Sequence, residues 1–250
     1  MGGPAGISII TAVHNRVGTI EHALASVREQ TWKGVQHIVI DGGSTDGTLE
    51  VLRSHQAHLA ALVSEPDHGI YDALNKGMAL AMGDVVGLLH SDDFFSHNDV
   101  LRRIAEAFQD PSIDVSYGDL DYVSKSDERR VVRRWRSGRY SPRKLRFGWM
   151  PPHPTVFVRR RLLENLGAYD TSMPLGADFD FTLRYLLHAG ERVAYLPEVL
   201  VKMRTGGAST PSMRTWVQNV KDNWRALRKY QAGGVATLVC NRLRKIPQFF

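Results

Sequence analysis

The sequence has almost no cysteine. Its one thiol, Cys240, cannot close an internal disulfide, and a cysteine-based zinc site is excluded with it. Long apolar runs are missing too. The longest candidates, VVGLL and VATLVC, fall far short of the roughly 18 residues that a membrane-spanning helix needs, so the chain is not expected to cross a bilayer. The opening stretch MGGPAGISIITAV has no basic segment ahead of its apolar one, so no secretory signal is expected either. A cytoplasmic location is the resulting expectation, extended to a peripheral position on the inner face of the cell membrane by the basic tail described below.

Acids are missing from two stretches. Residues 211–250 hold eight Lys and Arg against Asp222 alone, and residues 129–161 hold twelve bases and no acid. Outside 211–250 the chain is near neutral in sum, so the basicity is local, and each block could meet something anionic. No nucleic-acid partner is expected. Several catalytic signatures are absent as well. DGGSTDG (41–47) is glycine-rich but lacks the Gly-Lys-Ser/Thr ending of a P-loop and the G-x-G-x-x-G of a dinucleotide site. It also fails as a G-x-S-x-G nucleophile elbow.

What is present is an alternation of short apolar runs with helical patterns. ISIITAV (7–13), QHIVID (36–41), LAALVSE (59–65) and DVVGLLH (84–90) read as strands. Between and after them come helices near 19–31, after a cap at Ser44, near 70–82, and after Asn98. Strands this uniformly apolar are covered on both faces, which predicts a parallel, doubly wound sheet. From residue 113 the pattern becomes α+β: a hairpin turning at KSDER, a helix over 177–189 and the run RVAYLPEVLVKMR. The expected division is a ligand-binding half at 1–112, a second half of the same domain at 113–210, and a basic tail at 211–250.

In an open parallel sheet, ligands bind beyond the carboxyl ends of the strands. The four exits read HNR (14–16), DGGSTDGT (41–48), EPDHG (65–69) and HSDDFF (90–95), all polar or acidic. Each alone is ordinary turn composition. Four at one edge are better explained as a site, and acidic loops without basic clamps imply that Mg²⁺ or Mn²⁺ mediates any phosphate contact.

Six stretches then fall into a known order: SIITAVHNR, HIVIDGGSTDGT, SEPDHGIYDALNKGMALAMGD, LLHSDDFF, PHPTVFVRR and GADFDFTLR, over residues 7–205. In these the chain resembles the family 2 glycosyltransferases of GT-A fold, particularly small bacterial enzymes of polysaccharide or lipid-linked glycan assembly. The resemblance implies an α/β, Rossmann-like, mostly parallel sheet with an α+β acceptor half. It also implies an inverting, metal-dependent transfer from a nucleoside-diphosphate sugar, UDP before GDP, to a glycan or lipid-linked glycan acceptor, with Mn²⁺ or Mg²⁺ as cofactor. Thr11, Val13, His14 and Asn15 would line the nucleotide pocket and Asp41 would bind the base. Asp67, Tyr71 and Asn75 would lie toward the donor. SDD matches the family's D-x-D with Ser91 in the first place, Asp92 toward the ribose and Asp93 as metal ligand. Asp178 aligns with the catalytic base, although Ala177 stands where Glu is common; its competing reading is a first-turn helix acid. Asp180 is expected to pair with Arg184 at the surface.

Three expectations remain divided. His153, in PPHPT, either touches the acceptor or donor sugar or is a rigid loop residue. MRTGGAST (203–210) has the composition of a lid over the diphosphate, with Arg204 as a phosphate contact. In the tail, Trp216, Val220, Trp224, Leu227 and Tyr230 form one helical stripe, GG (233–234) interrupts, and a second apolar and basic piece ends in KIPQFF; residues 211–250 either meet an anionic membrane or pack on the domain. Two rival functions share the broad pattern: a sugar-nucleotide pyrophosphorylase, which should carry a Gly-rich basic loop where this chain has TAVHNR, and a non-catalytic nucleotide-sugar or glycan-binding module.

Overall fold

The computed structural model describes residues 6–206 and 213–249. Strands β1 (Ile7–Val13), β2 (Val35–Asp41), β3 (Ala61–Ser64) and β4 (Val85–Leu88) lie parallel in the order β3-β2-β1-β4. The fully buried β1 lies between β2 and β4, and apart from Ser8 and Thr11 its side chains are apolar. Helices α1 (Ile20–Arg28), α2 (Thr48–Ser54) and α3 (Ile70–Ala79) cross between the strands. Gly77 lets α3 approach the sheet closely, because a Cβ there would run into Ile10.

The chain does not leave β4 for solvent. A turn closes from the Asp93 amide to the His90 carbonyl at 3.0 Å, and β5 (Asp93–Phe95) follows at once. After α4 (Val100–Ala107) come β6 (Val115–Val123) and β7 (Val131–Trp135), the expected hairpin. Then follow α5 (Pro142–Arg146), β8 (Phe157–Arg159), α6 (Arg160–Leu166), α7 (Ala177–Ala189) and β9 (Val193–Arg204). The sheet continues as β8-β6-β9-β5, with β8 antiparallel to β4 and β6, β9 parallel to β6, and β5 antiparallel to β9. One sheet therefore runs through both halves and brings β9 back over the HSDDFF corner.

Ser44 does not cap α2. The helix starts four residues later with Gly47 at its N-cap, and Asp46 Oδ1 takes the Thr48 amide at 3.0 Å. Ser44 turns to Asp41 instead.

The tail forms α8 (Met213–Lys229) and α9 (Val235–Leu243). The face of α8 bearing Asp222, Asn223, Ala226 and Leu227 is buried. Asp222 Oδ2 takes the Leu175 amide at 3.0 Å, Asn219 donates to the Leu175 carbonyl at 2.6 Å, and a Cβ on Gly176 would strike Asp222. For α8 the packed reading holds and the membrane stripe does not: Leu227 sits in the core and Val220 and Tyr230 are half-buried, leaving only Trp216 and Trp224 exposed. Residues 207–210 of the expected lid lie outside the described residues.

Candidate active site

Register aligns the strand exits. Val13 pairs with Asp41 and Asp41 with Ser64, so the first three loops leave the sheet at one level. The first two are knitted together: the Asn15 amide donates to Ser44 Oγ at 2.8 Å, and Asn15 Oδ1 accepts the Thr45 amide at 2.9 Å. Asn15 makes these bonds at φ 52°, a left-handed conformation that Asn tolerates better than most residues. Three expectations change at this edge. The Thr11 hydroxyl is buried against His37 Nε2 at 3.0 Å, where burial lowers the imidazole to about 4 and keeps it neutral. Val13 packs in a small core with Ile20, Leu24, Val39 and Leu52. Asp41 is fully buried, its carboxylate bonded by Ser44 and, at 2.7 Å, by the Ser64 hydroxyl, so it orders the loop. The polar side chains of these loops that do reach the surface include His14, Asn15 and Asp67. Asp67 Oδ1 takes the Gly69 amide at 2.8 Å, and its other oxygen sits against Gly42.

At the fourth exit, Ser91 is buried in the turn and Asp92 is half-exposed. Asp93, expected in the open, is 1% exposed because β9 pairs across it. Neither of its carboxylate oxygens has a hydrogen-bond partner among the described residues. Burial, and then the Asp92 charge, push its carboxyl well above the usual range, against a smaller opposing pull from the Arg204 backbone and charge. A buried carboxylate with both oxygens unmet fits a cation ligand. No three His, Cys, Asp or Glu side chains gather as a ligand cluster among the described residues. A divalent ion here would therefore draw on one protein carboxylate plus diphosphate and water, the usual Mg²⁺ arrangement in phosphoryl sites.

Arg204 does not face a phosphate. It is buried, bonded to Glu128, to the Asp92 carbonyl at 2.5 Å and to His22 Nδ1 at 2.6 Å, with its guanidinium 4.8 Å over the Phe94 ring. It braces the turn that carries Asp92 and Asp93. Arg204→Gln is accordingly expected to cost about 2 kcal/mol, the scale of lost hydrogen bonds to a charged group, and to lower the melting temperature by several degrees. A donor KM raised with the melting temperature unchanged, measured by calorimetry and steady-state assay, would return Arg204 to the phosphate.

The base candidate lies across the cleft. Asp178 stands in the first turn of α7, where the helix dipole favours a carboxylate. It is not without partners: Tyr71 Oη donates to its Oδ1 at 3.3 Å, and His153 Nδ1 lies 3.4 Å from its Oδ2. Burial, and then the Asp178 charge, raise the Tyr71 phenol, so it stays a donor. Tyr71 is backed by an aromatic ladder through Tyr169 (5.3 Å), Phe181 (4.5 Å) and Tyr185 (4.1 Å) between ring centres. His90, which sequence reasoning left as a strand end, is the residue it missed: its Nε2 is 2.8 Å from that of His153, and burial lowers it to about 3. Burial lowers His153 too, despite Asp178. In the chain His90–His153–Asp178–Tyr71 the carboxylate thus has a hydrogen bond on one oxygen and the His153 ring beside the other.

Two neighbours are reassigned. Asn75 does not face the donor; its amide donates to the Tyr169 carbonyl and accepts the Tyr169 amide, both at 2.9 Å. Asp180 is not at the surface but fully buried, 3.3 Å from Lys229 Nζ of α8 and 3.7 Å from Arg184 Nη2. Of the two acids in GADFDF, only Asp178 is open to a ligand.

A sequence model described as glycosyl transferase family 2 matches residues 8–167. The chain belongs to glycosyltransferase family 2. This glycosyltransferase is 32% identical over 182 residues to a PGL/p-HBAD biosynthesis glycosyltransferase of Mycobacterium bovis, covering 71% of this chain and 68% of the relative. Its fold resembles S. aureus TarS in complex with UDP-GlcNAc (TM-score 0.68, 18% identity, 90% of this chain and 65% of that one). It also resembles the mannosyltransferase PcManGT from Pyrobaculum calidifontis in complex with GDP-Man and Mn²⁺ (TM-score 0.62, 22% identity, 91% and 64%). The glycosyltransferase fold is thus GT-A. The family match covers all four strand exits, His90 and His153, while Asp178, Arg204 and the tail lie beyond it.

Proposed function

We propose that this glycosyltransferase moves a sugar from a nucleoside-diphosphate sugar, UDP-linked before GDP-linked, to a hydroxyl of a glycan or lipid-linked glycan acceptor, with inversion. The observation that carries this reading is Asp178, accessible in the first turn of α7, hydrogen-bonded by Tyr71 at one oxygen and with the His153 ring beside the other. Asp178 takes the acceptor hydroxyl proton as the oxygen attacks the sugar C1; the C1–O bond to the diphosphate breaks and the nucleoside diphosphate leaves. A single displacement of this kind inverts the anomeric centre and needs no covalent nucleophile. Asp93 would hold Mn²⁺ or Mg²⁺, which supplies charge neutralisation on the leaving diphosphate. His14, Asn15 and Asp67 are the groups offered to the nucleotide, with Asp41 shaping their loop, and Asp92 is offered to the ribose.

The solved structures that resemble this fold hold UDP-GlcNAc, and GDP-Man with Mn²⁺, which supports the donor class and the cation. Among the described residues no helix is long and apolar enough to cross a membrane. An acceptor carried at the inner face of the cell membrane, with the enzyme cytoplasmic and peripheral to it, accords with the basic tail. A panel of UDP- and GDP-sugars, assayed for free nucleoside diphosphate with Mn²⁺ or with chelator, tests the proposal. One donor should be hydrolysed slowly and only with metal. Pyrophosphate as product would identify a pyrophosphorylase, no turnover a binding module, and full turnover in chelator would remove the cation.

A further inference from the structure

The two acid-poor blocks of the sequence meet in the fold. Helix α9 lies across the end of α5: Thr237 Oγ1 donates to the Arg146 carbonyl at 2.8 Å, Asn241 to the Gly148 carbonyl at 2.7 Å, and Arg244 Nε to the Phe147 carbonyl at 2.9 Å. The contact is close enough that a Cβ on Gly148 would strike the α9 backbone at Asn241 and Thr237. With about 100° of turn per residue, Thr237, Asn241 and Arg244 mark the inward side of the helix, and Val235, Val239 and Leu243 lie on the opposite side. Those three are 64%, 51% and 57% exposed, and Ile246 continues the ridge at 54%. Phe147 flanks it at 60%. Four large aliphatic side chains turned away from their own domain are not what a helix needs in order to pack.

The rim of this ridge is basic. Arg143 and Arg146 of α5, Arg228 of α8, Arg242 of α9 and Arg244 just after it are all exposed. The tail's one acid, Asp222, is turned inward against Leu175, and residues 129–161 contribute none. Burial, followed by the charges of Arg242 and Arg133 nearby, lowers Lys245 to about 8. Lys245 stands 5.5 Å from the Trp135 ring centre, against the end of β7.

We propose that the outward ridge of α9, with Phe147 and the surrounding arginines, seats the enzyme on an anionic lipid surface. The aliphatic crown favours lipid over a polyanion, because nucleic acids and acidic peptides reward the arginines but leave Val235, Val239 and Leu243 unsatisfied, whereas an interfacial helix buries such a ridge among acyl chains while its rim meets headgroups. The site lies in the second, apolar and basic piece of the tail and not on the α8 stripe. The binding stands independently of the donor chemistry; only its purpose, delivery of a lipid-linked acceptor to Asp178, rests on the proposed function.

Deleting the tail would also remove the α8 contacts that hold the turn before Asp178, so point variants of the full chain are the test. Wild type should co-sediment with vesicles of phosphatidylcholine mixed with phosphatidylglycerol and not with phosphatidylcholine alone. Val239→Glu combined with Leu243→Glu should weaken that binding at least about tenfold, since each side chain would otherwise be buried in lipid. Its melting temperature and vesicle-free donor hydrolysis should not change. Met82→Glu, at a 77% exposed residue after α3, should bind as wild type does. Equal sedimentation of the double variant, equal binding to neutral vesicles, or retention on heparin without vesicle binding would each overturn the proposal. Absence of donor hydrolysis in every protein, with vesicle binding intact, would count against the transferase reading alone.

Discussion

Asp178→Asn is expected to lower kcat by about a hundredfold or more, the scale of lost general-base catalysis, with the donor KM within about twofold of wild type. The amide keeps the shape of the carboxylate and still accepts from Tyr71, so the aromatic ladder and α7 should stay in place. What it loses is the ability to take a proton. Asp180→Asn should do the reverse. Asp180 is fully buried between Lys229 and Arg184, and Arg184 in turn donates to the Leu166 and Ala168 carbonyls, so the carboxylate ties α7 to α8 and to the segment after α6. Removing its charge leaves Arg184 without a carboxylate and Lys229 with Asp170 alone, at about 3 kcal/mol, and lowers the melting temperature by several degrees with modest change in kcat. Steady-state kinetics and calorimetry on the two variants decide the matter. An inactive Asp180→Asn beside a near-normal Asp178→Asn would move the base.

The contrast between these two acids also marks where sequence reading stopped. The helix itself was legible to the residue, because Gly176 and Gly190 bound it and its apolar positions recur at helical spacing. The i,i+4 pairing of Asp180 with Arg184 was legible too. Its burial was not, since charged pairs sit at the surface by default and only α8, arriving from the tail with Lys229, covers this one. Asn75 failed in the same way. Its spacing from Tyr71 puts both on one face of α3, but the backbone that occupies the amide comes from Tyr169, 94 residues away. The four strand exits, by contrast, are local consequences of the parallel order, and the sequence placed them at one edge because each strand ends where its apolar run ends. His90 lay in view at the end of the fourth run. Its role depends on a contact 63 residues distant, and no pattern in one sequence announces that.

Asp93 was misjudged for the same reason, and the correction changes the expected result of mutating it. An exposed ligand would be neutral to stability. A carboxylate enclosed by β9, with both oxygens unmet and Asp92 beside it, destabilises the metal-free protein. Asp93→Asn removes the charge and keeps the volume, so the metal-free variant is expected to melt at the wild-type temperature or above it. Cation-stimulated donor turnover should fall by about a thousandfold, the scale of losing a cation that stabilises the leaving group. Saturating Mn²⁺ should raise the wild-type melting temperature, because an ion bound only to the folded state stabilises it by about 2.7 kcal/mol at a hundredfold excess over its dissociation constant. The variant should show no such rise. Arg204→Gln provides the internal contrast, since it loses the brace of the same turn and should melt lower with or without metal. A variant Asp93→Asn that keeps Mn²⁺-dependent turnover would transfer the cation to Asp92. One that melts well below wild type would instead make Asp93 a structural acid whose partner lies outside the described residues.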